Sequence, residues 1–119
     1  MEDNLRFMEN FQHLSAEELE LIDKVRTIYQ GQHRIPCTAC RYCTDSCPEK
    51  IAIPDLFACM NGKTTWNNYN STYYYDIHTQ KGGKAGDCIE CGKCEEVCPQ
   101  HLPIRQLLKD VSAKFDTEE

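Results

Sequence analysis

The feature that most constrains this chain is a cysteine phrase written twice. Cys37-x-x-Cys40-x-x-Cys43-x-x-x-Cys47-Pro48 returns 51 positions later as Cys88-x-x-Cys91-x-x-Cys94-x-x-x-Cys98-Pro99, with the same gaps and the same closing proline. Three thiolates at two-residue gaps let one short loop wrap three corners of a compact polynuclear centre. The fourth, three residues on and followed by proline, is carried away from that loop.

This spacing is that of the bacterial iron–sulfur run, whose fourth cysteine ligates the other cluster when two clusters are present. The sequence therefore predicts two [4Fe–4S] clusters, one held by Cys37, Cys40, Cys43 and Cys98 and the other by Cys88, Cys91, Cys94 and Cys47. The apolar pattern repeats with the ligands. Ile53, Leu56, Phe57 and Met60 match Ile104, Leu107, Leu108 and Val111 at the same offset, each set stepping i, i+3, i+4, i+7 as one face of a helix. Two loop-plus-helix units related by a pseudo-twofold axis would set each unit's fourth cysteine beside the other unit's cluster. Structural zinc is the rival occupant, since it also takes C-x-x-C pairs. Zinc gives no reason for the third and fourth cysteines or the proline in both copies. A disulfide framework would leave one of nine cysteines unpaired.

Only 40% of the 119 residues are hydrophobic, and nine of those are cysteines, so the core by itself is thin. Clusters tying four segments together make up that deficit, and the apoprotein is expected to be largely unfolded or molten. The formal charge of −6 falls to about −10 once two anionic cluster sites are built. Nucleic acid and anionic membrane surfaces are poor partners for such a chain. No long apolar run or leader pattern is present, so a cytoplasmic location is expected.

Along the chain, Leu5, Met8 and Phe11 recur at helical spacing. Ser15 with Glu18 forms a capping box, Leu14 is placed to staple Leu19, and Gly31 is the expected left-handed stop. Leu19, Ile22, Val25 and Tyr29 form that helix's apolar face. A second helix is expected from Pro54 to Asn61-Gly62, and a third from Pro103. Between the repeats, Trp66, Tyr69 and Tyr73 predict a helix from Thr64 or Thr65 to Gly82-Gly83, and the aromatic group Trp66, Tyr69, Tyr73, Tyr74 and Tyr75 reads as a lid that keeps water off the clusters. Cys59 reads as a buried, inert thiol. His101 and its counterpart Lys50 suggest at most electrostatic tuning, and Lys81, Lys84 and Lys93 a solvated surface. The pattern Asn70-Ser71-Thr72 carries no glycosylation without export.

The phrases IPCTACRYCTDSCPEKIAIPDLF and DCIECGKCEEVCPQHLPIRQLL resemble the dicluster iron–sulfur domain at the C-terminus of aldo/keto reductase-like proteins, an α-helical ferredoxin. Its relatives include the C-terminal half of the iron–sulfur subunit of succinate dehydrogenase and fumarate reductase. The resemblance covers residues 15–115. Segment 1–30, with DNLRFMENFQHLSAEELELIDKV, is similar to the end of the aldo/keto reductase part. The resemblance implies an all-α fold: residues 1–31 as the helical tail of an upstream barrel, and 32–119 as the dicluster ferredoxin domain. It further implies an electron-transfer module in a larger oxidoreductase, with an unidentified donor and acceptor and no catalytic residue in these 119 positions. The alternative is a docking domain in which the clusters only staple the fold.

Overall fold

The computed structural model describes residues 1–32 and 34–116, and the chain divides into two compact units, Met1–Gln32 and His33–Glu119. In the first unit, α1 spans Glu2–Glu9 and α2 spans Ala16–Gln30. The expected capping box begins α2: Glu18 N–H donates to Ser15 Oγ at 3.2 Å, and Ser15 N–H donates to Glu18 Oε2 at 2.8 Å. The expected left-handed stop is not there. Gly31 is right-handed, with φ −70° and ψ −12°, because its N–H still closes a helical bond to the Thr27 carbonyl at 2.9 Å. Neither helix contains a buried residue.

The second unit runs α3 (Tyr42–Ser46), α4 (Ile53–Trp66), α5 (Asn70–Thr79), a 3₁₀ turn (Ala85–Asp87), α6 (Lys93–Glu96) and α7 (Ile104–Phe115). Among the described residues there is no strand, as the all-α expectation requires. Helix α4 packs on α5 and on α7, α3 packs on α6, and the 3₁₀ turn packs on α7. The repeated apolar stripes meet in the centre. Ile51, Ile53, Leu56 and Phe57 from one copy and Ile104, Leu108 and Val111 from the other are the largest fully buried side chains. Each contributes about 1.5–3 kcal/mol by leaving water.

Both long helices begin in the same way. Ala52 (φ −76°, ψ 57°) and Pro103 (φ −74°, ψ 69°) are inverse γ-turns, closed by Ile53 N–H to Ile51 O and Ile104 N–H to Leu102 O, both at 2.8 Å. Their ends differ from expectation. Helix α4 does not stop at Asn61-Gly62 but runs to Trp66, where Asn67 turns left-handed (φ 46°, ψ 39°). Asn61 is spent on a tertiary contact instead: its amide donates to Ile35 O at 2.9 Å and accepts from Ile35 N–H at 2.7 Å. Gly62 makes room for the buried Ser71 of α5, whose Oγ would lie 2.7 Å from a Cβ there.

The break at Asn67 also overturns the helix expected from Thr64 or Thr65. Trp66, Tyr69 and Tyr73 do not share one continuous helical face; with Tyr74 they are 72%, 93%, 63% and 50% exposed, and none of the five aromatics, the buried Tyr75 included, lines a cysteine cavity, so the group forms no lid. Helix α5 ends at Thr79, before Gly82-Gly83. Those glycines serve close approach: Gly83 N–H donates to Glu49 O at 3.0 Å, and a Cβ on Gly83 would stand 2.8 Å from the same oxygen. The connection is thereby held against the end of the first cysteine run.

Tyr75 is the aromatic that is buried. It stacks on Phe115 at 4.5 Å, donates its hydroxyl to Asp116 Oδ1 at 2.7 Å and accepts from Ala85 N–H at 3.0 Å. Gly86 N–H adds a bond to Asp116 Oδ2 at 3.0 Å. This network joins α5, α7 and the 3₁₀ turn, and that turn delivers Cys88.

Candidate metal centres

The two cysteine loops are the same object built twice, down to their rare backbone conformations. Ala39 and Glu90 have φ of 54° and 57°, Arg41 and Gly92 66° and 80°, Lys50 and His101 52° and 50°, each pair 51 positions apart. Hydrogen bonds follow the same offset. Thr44 N–H to Arg41 O (3.0 Å) repeats as Glu95 N–H to Gly92 O (2.9 Å), and Cys47 N–H to Thr44 O repeats as Cys98 N–H to Glu95 O, both at 3.3 Å. A left-handed non-glycine residue costs of order 1 kcal/mol. Such turns direct successive backbone N–H groups to one side, the anion-binding concavity found at phosphate and iron–sulfur sites. Five non-glycine residues held this way in two short loops mark a site rather than a linker.

Two cavities lie against these loops. The first is lined by Cys37, Cys40, Cys43 and Cys98. The second is lined by Cys88, Cys91, Cys94 and Cys47. Each cavity thus receives three cysteines from one loop and the fourth from the other, because the pairing of α3 with α6 brings the ends of the two runs across the pseudo-twofold. Ile53 lines both cavities and stands between them. Cys43, Cys94 and Cys98 are buried, while Cys40 and Cys91 reach the surface.

All nine cysteines are free thiols, so no disulfide competes for them. Burial pushes the Cys94 thiol up to about 11, with the Glu95 carboxylate adding to it, and raises Cys43 as well, with Cys37 adding there. A coordinating cation reverses this by deprotonating the thiol outright. Among the described residues, no three His, Cys, Asp or Glu side chains draw together closely enough to hold one metal ion. Zinc, with Zn–S bonds of about 2.3 Å, needs its thiolates gathered on a single ion, whereas a polynuclear group takes one thiolate at each of four separate corners.

Two ion pairs flank the cysteines, and sequence reasoning had not singled them out. Arg41, lining the first cavity, makes a two-pronged bond to Asp55 at 2.8 and 2.9 Å. Arg105, lining the second, meets Glu95 through Nε at 3.0 Å and through its terminal nitrogen at 2.8 Å, and its backbone N–H donates to Glu95 Oε1 at 2.8 Å. The paired carboxylates hold both guanidiniums above their ordinary range, and Arg105 in turn lowers Glu95. The available signal was the repeat itself: Arg41 faces Gly92 across the offset, and Arg105 faces Pro54, so both arginines break the symmetry.

The expected roles of the remaining singled-out residues divide. Cys59 is buried on α4, lines neither cavity, and its thiol is pushed up to about 11 by burial. Lys50 and His101 line neither cavity, and Lys81, Lys84 and Lys93 are exposed. No helix among the described residues is long and apolar enough to cross a membrane.

Comparison with known proteins agrees with the geometry. The chain is 29% identical over 83 residues to the acetyl-CoA decarbonylase/synthase complex subunit alpha 1 of Methanosarcina acetivorans, and 32% over 84 residues to that of Methanosarcina barkeri; each match covers 70% of this chain and 9% of the relative. It is 31% identical over 68 residues to a component of the ion-translocating oxidoreductase complex of Buchnera aphidicola, covering 57% of this chain and 12% of the relative. The chain therefore spans about a tenth of the length of these curated relatives. No solved structure matches it. None of these relatives carries the aldo/keto reductase resemblance further. Residues 36–102, more than half of the chain, match the 4Fe-4S dicluster domain, so this protein belongs to that family and is a ferredoxin-like, electron-transferring chain with two [4Fe–4S] clusters.

Proposed function

We propose that Cys37, Cys40, Cys43 and Cys98 hold one [4Fe–4S] cluster, that Cys88, Cys91, Cys94 and Cys47 hold the other, and that the chain is the electron-transfer module of a larger oxidoreductase. The observation that carries the ligand sets is the pair of cavities, each lined by three cysteines of one loop and the fourth of the other. When bound, the clusters supply reversible one-electron chemistry. The chain's own residues do the rest. Ile53, Phe57 and Leu108 keep the space around the thiolates apolar, the left-handed loops present backbone N–H groups, and the two arginine–carboxylate pairs hold each loop to a long helix. Nothing in this arrangement calls for a nucleophile or a general acid.

The larger context rests on two supports. The curated relatives are named as parts of complexes and are about ten times longer than the stretch they share with this chain. The resemblance of residues 1–30 to the end of an aldo/keto reductase favours such a barrel upstream. A reducing, cytoplasmic setting suits nine free thiols.

The test is anaerobic reconstitution followed by a redox titration read by paramagnetic resonance. About eight irons and eight sulfides per chain, with signals that appear on reduction and vanish on reoxidation, are expected. A chain that binds the metal but never accepts an electron reversibly would be a stapled docking domain, and the carrier reading would fail.

A further inference from the structure

The linings of the two cavities correspond position for position at the 51-residue offset, apart from Pro48 in the second and Ile53 in the first. Two sites built to one plan differ only through the residues that break it. Three such pairs involve charge. Arg41 lines the first cavity where Gly92 lines the second, Arg105 lines the second where Pro54 lines the first, and Gln100 lines the first where Glu49 lines the second.

The arginines cancel in the comparison. Each cavity has one, and each is neutralised at 2.8 Å by a carboxylate, Asp55 for Arg41 and Glu95 for Arg105. What remains is Glu49 against Gln100, a carboxylate against an amide of nearly the same shape. The loops lean the same way: residues 37–47 carry one arginine and one aspartate, whereas residues 88–98 carry three glutamates and one lysine. Thr38 lines the first cavity where Ile89 lines the second.

We propose that Glu49 and Gln100 make the two sides electronically unequal, so that an electron entering the chain comes to rest on the side of Gln100 and leaves the side of Glu49. The inference rests on the crossed ligand sets and the electron-transfer reading above. Reduction adds one negative charge to a centre, and a neighbouring carboxylate opposes that charge where an amide does not. The step balances without a proton or a new bond. A low-potential one-electron donor would supply the electron; the group held by Cys88, Cys91, Cys94 and Cys47 beside Glu49 would give it up, and the group held by Cys37, Cys40, Cys43 and Cys98 beside Gln100 would keep it. Both side chains belong to exposed residues, so their influence is screened by salt.

The test uses the full reconstituted chain, with iron counts and resonance-monitored redox titrations at low ionic strength, for the wild type, Glu49→Gln and Gln100→Glu. Two separate one-electron steps are expected. Glu49→Gln should raise only the lower step, Gln100→Glu should lower only the upper one, and added salt should narrow the gap in the wild type. If Glu49→Gln instead moves the upper step, or if both substitutions leave a fully loaded chain unchanged, the inference is overturned while the ligand reading stands. Iron counts showing that the wild type builds fewer than two clusters would overturn the ligand reading and this inference together.

Discussion

Lys50 and His101 adopt the same left-handed conformation, φ 52° and 50°, three residues beyond Cys47 and Cys98, and each returns its N–H to that cysteine's carbonyl at 3.2 and 3.1 Å. Neither residue is glycine, so each turn holds strain that the surrounding fold offsets. Lys50→Gly and His101→Gly should each raise stability by about 1 kcal/mol by removing it. A β-branched residue at either place should lower stability. Denaturant midpoints of the cluster-loaded chain provide the check, and a glycine variant less stable than wild type would contradict the strain argument.

Crossed ligation makes an unusual prediction about which half suffers. Cys47→Ala lies in the first run but should strip the cluster held by Cys88, Cys91 and Cys94. About four irons should remain, and the surviving redox step should still respond to Gln100→Glu but not to Glu49→Gln. Cys98→Ala should do the reverse. Uncrossed ligation would exchange the two outcomes.

Asn61 closes a two-bond clasp on the backbone of Ile35, two residues ahead of Cys37. Asn61→Ala removes both bonds and should cost about 2 kcal/mol, at roughly 1 kcal/mol each. Iron loss to a chelator should speed up at the first cluster more than at the second. Equal loss at both sites would show that the clasp serves the whole unit rather than that loop.

The Tyr75 hydroxyl is buried between Asp116 and Ala85 N–H. Tyr75→Phe leaves that N–H without its partner and should cost about 1–3 kcal/mol. The expected readout is a lower thermal midpoint with an unchanged iron count. An unshifted midpoint would mean that the hydroxyl network adds nothing to the stacking of Tyr75 on Phe115.

Cys59 is the one cysteine outside both cavities, and burial lifts its thiol to about 11 from an ordinary 9. In the loaded chain it should resist alkylation at pH 8 and react on unfolding. Because its folded pKa is raised, the stability it contributes is complete below pH 9 and is lost as pH rises toward about 11. Cys59→Ala should flatten that alkaline limb.

The sequence by itself determined the all-α dicluster class, the two clusters and the repeat. Cysteine spacing and the i, i+3, i+4, i+7 stripes are local patterns, and a local pattern survives wherever the segment lies in space. It also specified the capping box at Ser15, whose two bonds span only three residues. What only the tertiary structure decided is how non-local contacts spend residues that look like punctuation. Asn61-Gly62 and Gly82-Gly83 resemble helix stops, yet Asn61 clasps Ile35, Gly62 admits Ser71, and Gly83 lies on the backbone of Glu49. The tyrosine run divides for the same reason: Tyr75 finds Phe115 and Asp116 forty residues on, while Tyr73 and Tyr74 face solvent. The two cysteine loops were visible as a repeat from the start. That Glu49 and Gln100 stand at equivalent walls of two different cavities became visible only once the halves were folded against each other, because electrostatics depends on distance in space and not along the chain.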